Sequence, residues 1–281
     1  MLLAYVLGSV VAGLGMQFAI GGVIELLYYR RGRAGAEAWK CQPARWPSAA
    51  NRRREILLGA ANMTVASMAS GAFAWGVATG ALRTTIYFDR GSGIAASVGL
   101  TLAYFLVTDL GLYAAHRFLH RPLLFRHIHR WHHKFTSPTP FTAAAMHPVE
   151  FALYQSIMAA PLFVLPIPLV GLVGVLLYQN YVALIDHSGV RFHSWFPWQP
   201  PTQFHDDHHV HFHVNYGQNL GLWDRLCGTW RRHGRRYGKE VFGGRGEAIG
   251  GARDEGLVDY SRAPRIGEEV RSATERQEAS P

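Results

Sequence analysis

Histidines supply most of the chemistry that this sequence can perform, and their spacing is regular. Fourteen of the fifteen histidines lie between positions 116 and 213. They form one HxxxH motif, two HxxHH motifs and one isolated position, which are respectively His116 and His120; His129, His132 and His133; His205, His208 and His209; and His187. A helix brings side chains at i, i+3 and i+4 to one face, and neutral imidazole is the commonest protein ligand for a borderline metal ion. Each motif can therefore direct two or three nitrogens at one point.

Together these positions offer nine imidazoles. A tetrahedral zinc site takes about four ligands, so the number of histidines predicts two metal ions. Cys41 and Cys227 are widely separated and lack metal-site spacing. Neither a disulfide nor a thiolate metal site is therefore expected.

An acidic residue lies inside the apolar run that precedes the first motif. Asp109, Tyr113, His116 and His120 are spaced i, i+4, i+7 and i+11, which places them on one helical stripe. A lone carboxylate at that depth costs roughly 2.5–3.5 kcal/mol, so a compensating contact is expected. Two interpretations remain open. Asp109 accepts a hydrogen bond from an imidazole or a tyrosine hydroxyl near the metals, or it makes a polar contact between helices.

Some histidines fit the metal pattern less well. His127 is separated from His120 by Pro122, which weakens its case as a ligand. His211 and His213 alternate with apolar residues, a two-residue period typical of a strand. Both are predicted to be surface histidines.

The elements that must position these residues look like membrane spans. The chain has 281 residues, of which 49% are hydrophobic and 17% charged. Apolar runs predict crossings at 2–29, 56–82 and 93–115, each near or above the roughly 20 residues that a bilayer requires. A further run at 151–185 contains three prolines, which predicts two shorter helices at 151–165 and 169–186. These helices either form a hairpin in the bilayer or a buried pair. The first run lacks a charged region before it and is interpreted as a retained span, not a signal peptide.

The predicted fold is therefore an all-α integral membrane protein with four to five hydrophobic helical segments and a cytoplasmic, histidine-rich helical cap. If the spans alternate, 26 of the 28 lysines and arginines lie on the side of the histidines. The positive-inside tendency makes that side cytoplasmic. The net charge of +9 fits contact with anionic headgroups, or with an acidic redox partner, better than nucleic acid.

The motifs between 109 and 229 resemble the fatty acid hydroxylase and sterol desaturase superfamily of membrane di-iron enzymes. In order, they read TD-x3-Y-x2-HR-x2-H, H-x2-HH, PTPFTAAAMHPVE, DHSG and HDDHH-x5-NYGQ-x4-WDRLCGT. The wording is most similar to the sterol C5-desaturases (lathosterol oxidases), as is the WKCQP before the second span. Glu150 stands where those enzymes often have aspartate. The resemblance implies a catalytic domain at 93–238, which follows the predicted spans and basic loop at 1–92. The tail at 239–281 is rich in Gly, Glu and Arg with few apolar residues, which predicts a polar, loosely ordered segment.

The resemblance also implies specific roles. The nine histidines named above match positions that the superfamily uses for two iron ions. Asp109 and Tyr113 are candidate catalytic residues, as is His147, which would be a ligand or a residue on the substrate side. Support of the second HxxHH motif is the role implied for Asn215, Tyr216, Trp223 and Asp224. O2 would be the co-substrate.

The implied substrate is a lipid, with sterol C5(6) desaturation as the first choice and hydroxylation of a fatty acid, sphingoid or other lipid as the alternative. The chain has no dinucleotide, haem or iron–sulfur fingerprint. Electrons from NAD(P)H would therefore arrive through a separate cytochrome b5, ferredoxin or reductase. A histidine-rich metal transporter or sensor is a distant alternative, because its conduction path would need polar spans. A zinc-dependent membrane hydrolase is disfavoured because the chain has no HExxH motif.

Overall fold

A computed structural model describes residues 1–88, 91, 93–238, 240–242, 244–249 and 256–260. Its helices are, in chain order, α1 (Leu2–Ile24), α2 (Ala36–Trp39), α3 (Ala49–Thr79), α4 (Gly93–Leu119), α5 (Pro122–His127), α6 (Pro148–Ala159), α7 (Leu169–Asp186), α8 (Gln203–His211) and α9 (Leu222–Cys227). A π-helical turn (Glu25–Arg31) continues α1, and 3-10 helices lie at Arg33–Gly35, His129–Lys134 and Ala160–Phe163. The short strands are β1 (Ile86–Tyr87), β2 (Ile167–Pro168), β3 (Arg235–Arg236) and β4 (Glu247–Ala248).

Four of the described helices are long and apolar enough to cross a membrane, namely α1 with its π-helical turn, α3, α4 and α7. This confirms the predicted all-helical membrane class with four hydrophobic segments. The predicted span bounds were too short at the ends near the histidines. The α3 helix begins at Ala49 because the side chain of Ser48 accepts a hydrogen bond from the backbone N–H of Asn51. The α4 helix continues to Leu119 and so carries His116.

The proline-containing run forms a hairpin whose turn lies at the end of the bundle opposite the histidines. There β2 pairs in parallel with β1 of the α3–α4 loop, and Ile86 is the partner of Ile167. The hydroxyl of Thr85 donates to the carbonyls of Leu162 and Leu165. The 18 residues of α7 extend about 27 Å at 1.5 Å per residue, close to the thickness of a bilayer's apolar core. The α7 arm of the hairpin is therefore long enough to cross the apolar core of a bilayer.

Loops at the histidine end are tied to the spans by buried hydrogen bonds. The side chain of Asn62 on α3 donates to the carbonyls of Ala144 and Met146. Lys40 forms an isolated antiparallel bridge with Val190, three residues after His187. These contacts fix the loops that carry the histidines against helices of the membrane bundle.

Most of the predicted tail, 239–281, lies outside the described residues. Within it, Tyr260 is buried against the rings of Phe204 and Trp230. Its hydroxyl donates to Asp207 at 2.5 Å. This part of the predicted loose tail is therefore packed onto α8 and is an exception to that expectation.

Candidate metal centre

The nine predicted histidines converge into two buried groups. In each group, one ring nitrogen per residue lies within 4.8 Å of the others. The five-histidine group is His116, His120, His129, His133 and His208, and the four-histidine group is His132, His187, His205 and His209. All nine are buried. The structure thus brings together every histidine that the motif spacing selected.

The two spatial groups do not coincide with the sequence motifs. In each HxxHH motif, the two adjacent histidines belong to different groups. His133 joins the five-histidine group while His132 joins the other, and His208 and His209 divide in the same way. In the α-helical motif of α8, adjacent residues point about 100° apart, which directs His208 and His209 to different centres, whereas His205 and His209, four apart, share one.

Backbone carbonyls fix the tautomers of several rings. The Nδ1 atom of His116 lies 2.8 Å from the carbonyl oxygen of Tyr216, and that of His208 lies 2.6 Å from the carbonyl oxygen of Val214. A carbonyl oxygen only accepts hydrogen bonds, so each Nδ1 carries the proton. The Nε2 atom of each neutral ring is therefore left with its lone pair.

The resulting lone pairs face one another, which is the observation that fits a metal ion. His132 and His187 both place Nδ1 on a carbonyl oxygen, of Ala145 at 3.4 Å and of Ala183 at 2.7 Å. Their Nε2 atoms are 3.1 Å apart. Two imidazole lone pairs at that distance repel, since neither has a proton to donate. A cation bound between them removes the repulsion.

At the five-histidine group, Glu150 accepts a hydrogen bond from a ring nitrogen, as the carbonyl oxygens do for other rings. Its carboxylate lies 2.5 Å from Nδ1 of His129 and is fully buried. A carboxylate that accepts the Nδ1 proton orients the ring and raises its basicity as a ligand. The Nε2 atom of His129 then lies 3.0 Å from that of His133, which is 3.0 Å from that of His208. The sequence singled out Glu150 only as a departure from relatives, because no motif spacing links it to His129.

Burial favours the neutral form of several of these imidazoles. Desolvation lowers the pKa of His132, His133 and His208 well below the usual value, and neighbouring imidazoles lower it further. The same cause lowers the pKa of His187 to about 4. Neutral imidazole is the form that ligates a metal.

His147 lies outside both groups, contrary to the interpretation of it as a ligand. It is the N-cap of α6, and its Nδ1 accepts a hydrogen bond from the backbone N–H of Val149. Its ring packs against Trp131. Its described contacts therefore serve the start of the helix that carries Glu150.

The prediction that His213 is a surface residue was wrong. Its side chain is fully buried, and its Nδ1 lies 3.2 Å from Nδ1 of His120. The strand-like period misled because α8 continues to His211, and Phe212 then adopts a left-handed backbone with φ of 64°. His211 is half-buried, and burial lowers its pKa to about 4.

Asp109 does not contact an imidazole or a tyrosine hydroxyl among its described hydrogen bonds. It accepts from the side-chain amide of Asn219 at 2.9 Å and from Nε1 of Trp223 at 2.7 Å. The hydroxyl of Tyr113 hydrogen-bonds to Thr229 at 2.9 Å and likewise reaches no histidine nitrogen in the described contacts. Both residues anchor the chain after α8 to the α4 span.

That anchored chain supports the five-histidine group. Asp224 accepts from the backbone N–H of Tyr216 at 2.9 Å and of Gly217 at 2.7 Å. Asn215 adopts a left-handed backbone with φ of 56° and donates to the carbonyl of Phe204. Since the Tyr216 carbonyl orients His116, these contacts fix the direction of a histidine ring from a loop one hundred residues away.

We expect Asp109→Ala to weaken metal retention at the five-histidine group and to destabilise the protein. It leaves buried N–H donors of Asn219 and Trp223 without their acceptor, which costs about 1–3 kcal/mol each. Metal analysis and thermal unfolding of the purified variant measure both effects. Asp109→Asn keeps one oxygen acceptor and is expected to lose less. Full metal content and unchanged stability in Asp109→Ala would remove this supporting role.

Residues 101–229 match the family model described as fatty acid hydroxylase. This segment is therefore similar to the fatty acid hydroxylase family. It contains all nine histidines of the two groups. The match confirms the resemblance that the histidine motifs indicated.

Curated relatives of this segment are named as sterol desaturases or as lathosterol oxidase. A probable Delta(7)-sterol 5(6)-desaturase of Neurospora crassa is 36% identical over 139 residues, covering 49% of this chain and 40% of the relative. The Delta(7)-sterol 5(6)-desaturase of Saccharomyces cerevisiae is 37% identical, covering 47% and 37%. Lathosterol oxidase of Rattus norvegicus is 36% identical, covering 49% and 47%. The chain thus spans less than half the length of these relatives. No solved structure matches it.

Proposed function

We propose that this protein is a membrane di-iron oxidase that uses O2 to desaturate or hydroxylate a lipid, with sterol C5(6) desaturation as its reaction. The observation that carries the proposal is the pair of buried histidine groups in which Nε2 lone pairs face one another. The names of its relatives supply the substrate class.

In this proposal each group holds one iron ion. The donor set is entirely imidazole nitrogen, which suits iron, whereas a structural zinc site commonly uses thiolates. When bound, the two irons supply activation of O2 and removal of hydrogen from an unactivated C–H bond. Desaturation consumes two substrate hydrogens, one O2, two electrons and two protons, and it releases two waters.

The chain's own residues would orient the ligands and exclude water. Carbonyl oxygens and Glu150 hold the Nδ1 protons, so the Nε2 lone pairs are directed before any metal binds. Burial of both groups leaves the oxidant away from bulk water. The apolar helices would bring a lipid to the groups from the bilayer, and the protein's role is this positioning.

Electrons would come from a separate protein. A cytochrome b5, a ferredoxin or a reductase that uses NAD(P)H would dock at the histidine end. That end carries 26 of the 28 lysines and arginines if the spans alternate, which supports a cytoplasmic position for the metals. The basic charge also favours an acidic donor surface.

A second candidate is hydroxylation of a fatty acid, sphingoid or other lipid. The observation that favours it is the matched family, whose description is fatty acid hydroxylase. Hydroxylation and desaturation share the first hydrogen abstraction, and the position of the held carbon decides between them.

Lathosterol feeding tests the proposed reaction. Cells that express the protein are expected to accumulate the product with a new C5(6) double bond, which mass spectrometry of the lipids detects. Purified protein is expected to contain two irons and to consume O2 when given reductant and lipid. New hydroxylated acyl or sphingoid lipids with an unchanged sterol profile would favour the second candidate. Tight zinc binding without O2 consumption would favour a transporter or sensor.

A further inference from the structure

A groove of about 730 Å³ runs along the outward face of α4 at the histidine end. Its lining comes from α4, from the chain after α8 and from the described part of the predicted tail. The lining residues are Leu110, Tyr113, Ala114, Arg117, Phe118, His120, Arg121, Pro122, His213, Tyr216, Cys227, Phe242 and Gly244. This volume lies in the range of pockets that hold small ligands.

The floor of the groove reaches only one of the two histidine groups. It is formed by the buried rings of His120, His213 and Tyr216. His120 belongs to the five-histidine group, and His213 touches it through Nδ1 at 3.2 Å. None of the four-histidine group, all of which the structure describes, lines the groove. This groove therefore gives access to the five-histidine group and not to the four-histidine group.

The walls change from apolar to charged along the helix axis. Leu110, Ala114 and Phe118 recur every four residues on one face of α4, and Leu110 and Phe118 are 44% and 60% exposed. Arg117 and Arg121 lie at the histidine end. From position 110 to 119, where α4 ends, the helix rises about 14 Å, so the groove can hold part of an extended lipid. Its open side carries exposed apolar side chains of α4, which is one of the four described helices that could cross a membrane.

We propose that this groove is the lipid-binding site and that one amphipathic lipid lies along α4. Its oxygen-bearing polar end, a sterol hydroxyl or an acyl carbonyl or carboxylate, contacts Arg117 and Arg121. Its apolar body extends toward Leu110. This inference rests on the proposed function.

A consequence for the reaction follows from the position of His120. This ring lies between the two arginines in sequence and forms part of the floor beside them. A lipid held with its polar end at the arginines presents its first few carbons, not its far end, to the five-histidine group. The bond that is oxidised therefore lies near the polar end of the lipid.

A cysteine that lines the groove allows its occupancy to be measured by thiol alkylation. Cys227 lines the groove and is exposed, and Cys41 is the other cysteine of the sequence. In a Cys41→Ser background, Cys227 is the single thiol. Its alkylation by a maleimide is measured by mass spectrometry on the full-length, iron-loaded protein, without reductant, in phosphatidylcholine nanodiscs. Three samples are compared. One has nanodiscs without added lipid, the second has nanodiscs with lathosterol, and the third has nanodiscs with palmitic acid.

We expect bound lipid to shield the thiol. At about ten times its Kd, a lipid leaves roughly a tenth of the grooves free, so alkylation slows about tenfold. Protection by lathosterol alone assigns the polar end to a hydroxyl, and protection by palmitic acid alone assigns it to a carboxylate. Ala114→Trp fills the groove and is expected to abolish protection, with Leu102→Trp, on the same helix outside the groove, as the matched control.

Equal alkylation rates with and without lipid would overturn this inference. If the iron-loaded protein still oxidises lipid in that case, the proposed function stands and the groove is not its site. If lipid protects Cys227 but no lipid is oxidised, the groove binds lipid and the proposed function fails. Protection that survives Ala114→Trp would also count against the groove, because the lipid would then shield the thiol from elsewhere.

Discussion

Replacing His208 or His132 with alanine is expected to abolish turnover and to leave about one iron per chain in place of two. His208 belongs to the five-histidine group and His132 to the four-histidine group, so each substitution removes one ligand from one centre. Activation of O2 by a pair of irons needs both. Metal analysis and product formation on purified protein measure the two effects. Membrane extraction shows whether the variant is still inserted, as we expect from apolar helices that the substitution does not touch.

The controls are histidines outside both groups. His127→Ala and His193→Ala change exposed residues and are expected to retain both irons and full turnover. Retained turnover in His208→Ala and in His132→Ala would remove both residues from the ligand set. Loss of both irons in either variant would instead mean that the two centres fill only together.

Glu150→Ala is expected to lower iron affinity or activity by about 10–100-fold, the usual effect of removing a carboxylate that orients a ligating histidine. The reason is that the Nδ1 proton of His129 loses its acceptor inside a fully buried site. Iron titration followed by absorbance gives the affinity, and steady-state turnover gives the activity. The loss is expected at the five-histidine group, with the other centre still filled.

Glu150→Gln separates hydrogen bonding from charge. The amide oxygen still accepts the His129 proton, so we expect this variant to recover part of the affinity that alanine loses. Glu240→Ala is the control for removal of an exposed carboxylate. Unchanged affinity and turnover in Glu150→Ala would show that the hydrogen bond to His129 does not support the centre.

The membrane helices could be predicted from sequence because apolar runs of that length have few alternatives to a bilayer. The residues at which these helices begin and end could not be predicted in this way. The start of α3 depends on the Ser48 cap, and α4 passes through His116 and Arg117 without a break, although the hydrophobic run ends before them. The depth of the hairpin was also undetermined until β2 was found beside β1. Hydrophobicity reports the average environment of a segment, whereas these features depend on single contacts.

The spacing of residues along the chain predicted the position of some histidines correctly and of others wrongly. The i and i+4 spacing of His116 and His120 brought both to one centre. The alternation around His213 suggested a strand at the surface, but a turn at Phe212 buried the ring against His120. His147 matched a sequence motif, yet the fold uses it to cap a helix. Periodicity describes a residue's neighbours along the chain and carries no information on segments that arrive from elsewhere.

Composition and spacing alone were enough to predict the apolar helices, the nine imidazoles and the presence of two metals. The division of those imidazoles into two groups became visible only in the folded chain, as did the contacts by which Glu150 and the Tyr216 carbonyl direct rings from other segments. The physical reason is that the chemical type of a ligand belongs to a residue, whereas the direction of its lone pair depends on hydrogen bonds. Those hydrogen bonds join positions far apart in the chain, so they exist only once the helices have packed.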